Sequence, residues 1–161
     1  MNKNILITYF SYTGNTRGIA EQIHDVVGGT LLEIQPAAPY SSDYETCEAQ
    51  AKRETRVGYR PVLATECDDF ESYDMIFVGS PNWFNTISPP VATFLAEHNW
   101  DGKTIVPFCT NGGGGLGRVK TDIGKLCEGG KILNCLELYE NGGKDANDKI
   151  SRWLSDVDLS K

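Results

Sequence analysis

Five short apolar runs punctuate the chain: Ile5 to Phe10, Thr30 to Ile34, Met75 to Gly79, Thr104 to Cys109 and Lys131 to Leu138. None alternates cleanly, which is how strands buried on both faces read. Helical spacing lies between them. Ile19, Ile23, Val26 and Val27 share one helix face that ends at Gly28 and Gly29. Ser88 can cap a helix with Pro89 at its first position, its buried face formed by Val91, Phe94, Leu95 and His98. A weaker pattern covers 117 to 128, and Ile150, Trp153, Leu154 and Val157 make a last apolar stripe.

Strands alternating with helices predict an α/β domain with a parallel sheet, helices on both faces and right-handed crossovers. The whole of 1–161 reads as one such domain. One interval is too long for a simple crossover, the connection of residues 36–72. Ser42 and Glu45 have capping-box spacing there, and Tyr44, Cys47 and Ala51 form a narrow stripe. A helix from about 43 to 56 followed by irregular chain is therefore expected.

With 22 acids against 15 bases the net charge is −7, and no basic cluster stands out, which argues against nucleic acid or an anionic membrane as partner. No apolar run approaches the length of a membrane span, and the start of the chain lacks a signal-peptide pattern, so a cytoplasmic location is expected. Cys47, Cys67, Cys109, Cys127 and Cys135 form no CxxC pair, and His24 and His98 lie far apart, so no metal site is expected. Cys109 and Cys135 read as small core residues.

The first strand runs into SYTGNT at 11 to 16 and then a helix. A capped turn needs one hydroxyl or amide residue, whereas Ser11, Thr13, Gly14, Asn15 and Thr16 supply five small groups besides Tyr12. At a helix N-terminus this makes a nest for a phosphate that requires no lysine. Neither GxxxxGK[ST] nor GxGxxG is present, and Arg17 just beyond the nest is expected to point to solvent.

In a parallel sheet the loops after the third and fourth strands open on the same edge. The first, GSPNWFNTISPP, holds Trp83 and Phe84 side by side between Pro81 and Pro89, a pair suited to stacking on a flat heteroaromatic ring. The second, TNGGGGLG, has four successive glycines, Gly112 to Gly115, whose backbone N–H groups could approach a ligand edge. Phosphate, planar ring and polar edge together describe flavin mononucleotide.

On these three pieces, with the stretch from 74 to 117 and the final WL helix, the chain resembles the flavodoxins and the wider flavodoxin-like family of short FMN proteins. The resemblance implies a flavodoxin-like three-layer sandwich, its five-stranded parallel sheet in the order 2-1-3-4-5. It further implies that Ser11, Thr13, Gly14, Asn15 and Thr16 hold the phosphate end of FMN, with Tyr12 among the cofactor-binding residues. By the same likeness Pro81, Asn82, Trp83, Phe84, Asn85 and Thr86 flank the ring, with Thr110, Asn111, Gly112, Gly113 and Gly114 on its pyrimidine side. A peptide beside the flavin flips on reduction in this family and needs a residue tolerant of positive φ. Where relatives commonly carry glycine after two aromatics, this chain has Asn85, so the flip is expected to cost more.

The expected function is electron transfer: FMN passing low-potential electrons between redox partner proteins that dock near the flavin edge on an acidic rim, with no catalytic side chain. An FMN-dependent oxidoreductase taking hydride from NAD(P)H to a quinone is the alternative, the long connection with Tyr40, Tyr44 and Tyr59 serving either to roof its site or as a structural flap. A flavin-free interaction module on the same fold is a third.

Overall fold

The computed structural model describes residues 3–159. Its strands are β1 (Ile5–Tyr9), β2 (Thr30–Glu33), β3 (Met75–Pro81), β4 (Thr104–Asn111), β5 (Lys131–Ile132) and β6 (Leu136–Tyr139). The helices are α1 (Asn15–Val27), α2 (Tyr44–Val57), α3 (Pro89–Ala96), α4 (Val119–Leu126) and α5 (Ala146–Leu154). All strands are parallel, in the order β2-β1-β3-β4, with β5 and then β6 along the far side of β4. This is the expected 2-1-3-4-5 sheet.

Strand periodicity divides the core into two layers. Ile5, Ile7, Met75, Phe77, Val106 and Phe108 point to one face, where they meet Ile19 and Ile23 of α1 and Ile150 and Leu154 of α5. Leu6, Ile76, Val78, Ile105 and Cys109 point to the other and meet Val91, Phe94 and Leu95 of α3 and Val119 and Ile123 of α4. Each fully buried Ile, Leu or Phe contributes about 1.5–3 kcal/mol to this arrangement. Burial pushes the Cys109 and Cys127 thiols up to about 12, as befits packing residues.

Several local expectations are corrected. The run from Lys131 to Leu138 is two strands, because residues 133 to 135 leave the ladder after the Leu133 N–H donates to the Ile105 carbonyl at 2.9 Å. As the sheet edge, β6 alternates buried Leu136 and Leu138 with exposed Glu137 and Tyr139 rather than being buried on both faces. Val26 is exposed at the end of α1. Asp43, not Ser42, caps α2, its Oδ2 accepting from the Thr46 N–H at 3.0 Å. Ser88 precedes α3 without a side-chain cap, since its hydroxyl sits 3.3 Å from Ser80 Oγ. His98 lies beyond the end of α3 and stacks on Phe70 at 4.2 Å between ring centroids.

Lys103 is buried and has no carboxylate partner among the described residues. Its ammonium donates to the carbonyls of Tyr73 (2.7 Å), Glu71 (3.2 Å) and Phe70 (3.4 Å), pinning the turn that leads into β3.

The long connection is anchored at both ends. Ala37 N–H donates to the Val62 carbonyl and Ala64 N–H to the Gln35 carbonyl, both at 2.8 Å, which closes the loop at its base. Within it Cys47 and Ala51 bury one face of α2 as the stripe predicts, while Tyr44 stays exposed. Tyr40 Oη donates to Glu54 Oε1 at 2.6 Å and Gln50 Nε2 to Glu54 Oε2 at 2.7 Å, fixing the helix to the chain before it.

Candidate functional site

The strand ends place three loops on one edge of the sheet, as parallel topology requires. In the first, Gly14 takes φ 99°, a conformation few other residues adopt, and turns the chain sharply into α1. Its N–H donates to Ser11 Oγ at 3.1 Å, and the first helical bond runs from Gly18 N–H to the Gly14 carbonyl. Helix geometry leaves the N–H groups of Asn15, Thr16 and Arg17 without intrahelical acceptors, at the positive end of the helix dipole. Arg17 is exposed, as expected, and its guanidinium holds both oxygens of Glu33 at 2.7 Å, away from the nest.

A cavity of about 320 Å³ opens beside this terminus, lined by Tyr12, Thr13, Asn15, Thr16, Tyr44, Pro81, Asn82, Trp83, Thr110, Asn111, Gly112 and Glu140. The structure thus brings together members of all three expected loops. A second cavity of about 200 Å³ shares Tyr12, Tyr44, Asn82 and Trp83 and is completed by Cys47, Glu48, Ala51 and Phe84. Ser11 and Gly14 shape the turn from outside the larger wall, and Gly113 and Gly114 do not line it. Gly113 N–H is engaged instead by Asn111 Oδ1 at 2.9 Å, so the glycine run is less open than four free N–H groups.

Trp83 does not stand free beside Phe84. Its ring is packed edge-on by Tyr40 at 5.1 Å, Phe10 at 5.4 Å and Tyr12 at 6.1 Å, which makes it a rigid wall of both cavities. Phe84 is 42% exposed at the tip of a two-residue hairpin, where Trp83 and Thr86 exchange backbone bonds of 2.9 and 3.2 Å. Both tip residues are left-handed, Phe84 at φ 53° and Asn85 at φ 74°. Positive φ is therefore not confined to Asn85, as the sequence suggested, and this pair is the signature of a type I′ turn. The start of α4 clamps it: Arg118 N–H donates to the Asn85 carbonyl at 2.8 Å, and the Thr86 hydroxyl donates to Asp122.

Asn82 supplies the test of what the site accepts. Its Nδ2 donates to the Gly115 carbonyl at 2.8 Å, but its Oδ1 is buried with no partner among the described residues. A buried amide oxygen costs free energy until a donor reaches it. A ligand carrying a ring N–H together with a phosphate matches the open acceptor and the open helix terminus.

Glu140 went unnoticed in the sequence. It lies just past β6 at φ 51°, its N–H donating to the Asn111 carbonyl at 2.7 Å. The rule that parallel strands open on one edge applies to the last strand too and would have found it. Lys52, Arg53, Arg56 and Arg60 lie close together on α2 and just past it, a local concentration of bases within an acidic chain.

A family model described as Flavodoxin matches residues 4–157. A candidate flavoprotein from Bacteroides eggerthii is similar at 32% identity and TM-score 0.84, the match covering 96% of this chain and 97% of that one. One from Bacteroides uniformis matches at 26% identity and TM-score 0.84, over 96% and 99% of the two chains. A Lactobacillus acidophilus flavoprotein solved in complex with FMN shares the fold at 20% identity and TM-score 0.73, over 94% and 98%. No curated protein matches the sequence.

Proposed function

The chain belongs to the flavodoxin family, and on that premise we propose that it binds FMN without a covalent bond and carries electrons at low potential between partner proteins. The observation that carries this reading is the 320 Å³ cavity lined by Thr13, Asn15 and Thr16 at the start of α1 and by Asn82, whose Oδ1 has no partner among the described residues. When bound, FMN supplies the reversible electron chemistry.

The chain's own residues hold, orient and shield it. The N–H groups of Asn15, Thr16 and Arg17 and the Thr13 hydroxyl receive the phosphate dianion, while the Thr16 hydroxyl is held by Thr110. Asn82 Oδ1 accepts from the ring edge, and Trp83, immobilised by its aromatic neighbours, excludes water from one side. A net charge of −7 and Glu140 in the wall disfavour additional negative charge in the site, which lowers the potential of the final reduction. Among the described residues no helix is long and apolar enough to cross a membrane.

A second reading, NAD(P)H-dependent reduction of a small quinone, is favoured by the 200 Å³ cavity beneath α2, which could admit a flat acceptor. The two separate in one assay of the FMN-loaded protein. Rapid electron delivery to an acceptor protein, with negligible NADPH-driven quinone turnover, supports the carrier. Fast quinone turnover in the absence of any other protein contradicts it.

A further inference from the structure

The long connection bears a surface unlike the rest of the molecule. Lys52, Arg53, Arg56 and Arg60 are all exposed, and among the described residues none has a carboxylate within 4.0 Å. Among and just beyond them stand Val57 (73% exposed), Tyr59 (50%) and Val62 (74%), three of the seven large hydrophobics exposed on the described chain. Complementing the α2 dipole accounts for a base in the last helical turn, such as Arg56, but not for Arg60 or for the apolar residues beyond the helix. Nor is the patch a loose loop. The Pro61 carbonyl accepts from Thr93 Oγ1 at 2.8 Å, the Val62 carbonyl from Ala37 N–H at 2.8 Å, and Glu54 is held by Tyr40 and Gln50.

We propose that this patch is the docking surface for a redox partner that presents a compact acidic face, a reading that rests on the electron-carrier function above. Exposed tyrosine and arginine around a small apolar centre is the composition of interface cores. Residues 52–60 hold four bases and one acid, a charge of +3, within a chain of −7, so the remainder carries −10. That contrast selects the occupant. A two-fold dimer through the patch would set +3 against +3, its one acid already engaged. A nucleic acid carries its charge well beyond so small a footprint and meets the −10 around it. A protein with its negative charge confined to one face gains the attraction without the repulsion. The patch also adjoins the flavin-side turn, since Tyr59 and Arg60 share a cleft of about 230 Å³ with Thr86 and Ile87.

The test uses the FMN-loaded protein, reduced anaerobically and mixed in a stopped-flow instrument with a rubredoxin, a small acidic iron–sulfur protein, at about 50 to 500 mM salt. Net charge alone predicts repulsion and a rate that rises with salt. The patch predicts the opposite slope for wild type, and a rate roughly tenfold lower at low salt for the Arg53→Glu/Arg56→Glu/Arg60→Glu variant. A wild-type rate that rises with salt, or a variant indistinguishable from wild type, overturns the proposal. So does patch-dependent self-association in sedimentation, or patch-dependent binding of an oligonucleotide in preference to rubredoxin. Unchanged circular dichroism and FMN absorbance establish that the variant is intact. Should the protein take up no FMN, the carrier reading fails by itself. The docking claim is then decided by titrating rubredoxin while following tryptophan fluorescence, where salt-weakened binding lost in the variant supports it and its absence refutes it.

Discussion

Thr16 Oγ1 and Thr110 Oγ1 lie 2.7 Å apart in a buried contact that ties the start of α1 to the end of β4. The turn into α1 and the loop after β4 are thus tied together rather than being two independent loops. Thr110→Val removes the partner and leaves a buried hydroxyl unsatisfied, at a cost of about 1–3 kcal/mol. A chain of this size should show a fall in Tm of roughly 2–4 °C for each kcal/mol. FMN affinity should fall as well, because the terminus of α1 loses its brace; calorimetry with and without FMN measures both.

Asn85 at φ 74° tests the hairpin tip. Asn85→Gly should be close to neutral in stability. Asn85→Val places a β-branched residue in the left-handed region and should cost about 1–2 kcal/mol or more. Equal denaturant midpoints for the two variants would mean that the backbone is not held in this conformation.

Lys103 offers a prediction remote from the site. Lys103→Met keeps the apolar stem but strips the carbonyls of Phe70, Glu71 and Tyr73 of their shared donor. A loss of about 2–4 kcal/mol is expected in urea unfolding, with FMN binding by the folded variant unchanged.

Burial against Phe70 and Phe94 lowers the His98 pKa below its ordinary value of 6.5. A base whose folded pKa is depressed binds its proton more readily when unfolded, so the folded state loses stability as pH falls below about 6.5. His98→Phe should flatten that part of the stability–pH curve, and an unaltered curve would show that the histidine stays solvated.

The sheet order was legible because fully buried strands and capped helices leave strong local patterns. Ile5 to Phe10 and Met75 to Gly79 could hardly be anything else. Trp83 and SYTGNT stand out in the sequence for a different reason, being residues that a plain connector does not need, and the structure places Trp83 and members of SYTGNT on one cavity. What escaped depended on distance in the chain. The sequence shows Trp83 beside Phe84, yet its rigid setting comes from Phe10, Tyr12 and Tyr40. Arg17 is exposed as its position suggests, but its partner Glu33 belongs to the next strand and could not be read locally. The type I′ geometry at Phe84 ran against residue preference, and only the clamp from Arg118 and Asp122 explains it.

The most direct measurement compares FMN with riboflavin, which carries the same ring but no phosphate, by quenching of flavin fluorescence on titration with flavin-free protein. The account predicts one FMN per chain and riboflavin weaker by at least roughly a hundredfold, since the helix terminus contributes only to the phosphate. Equal affinities would contradict the placement of the phosphate at α1, and no binding of either would contradict the flavin site itself.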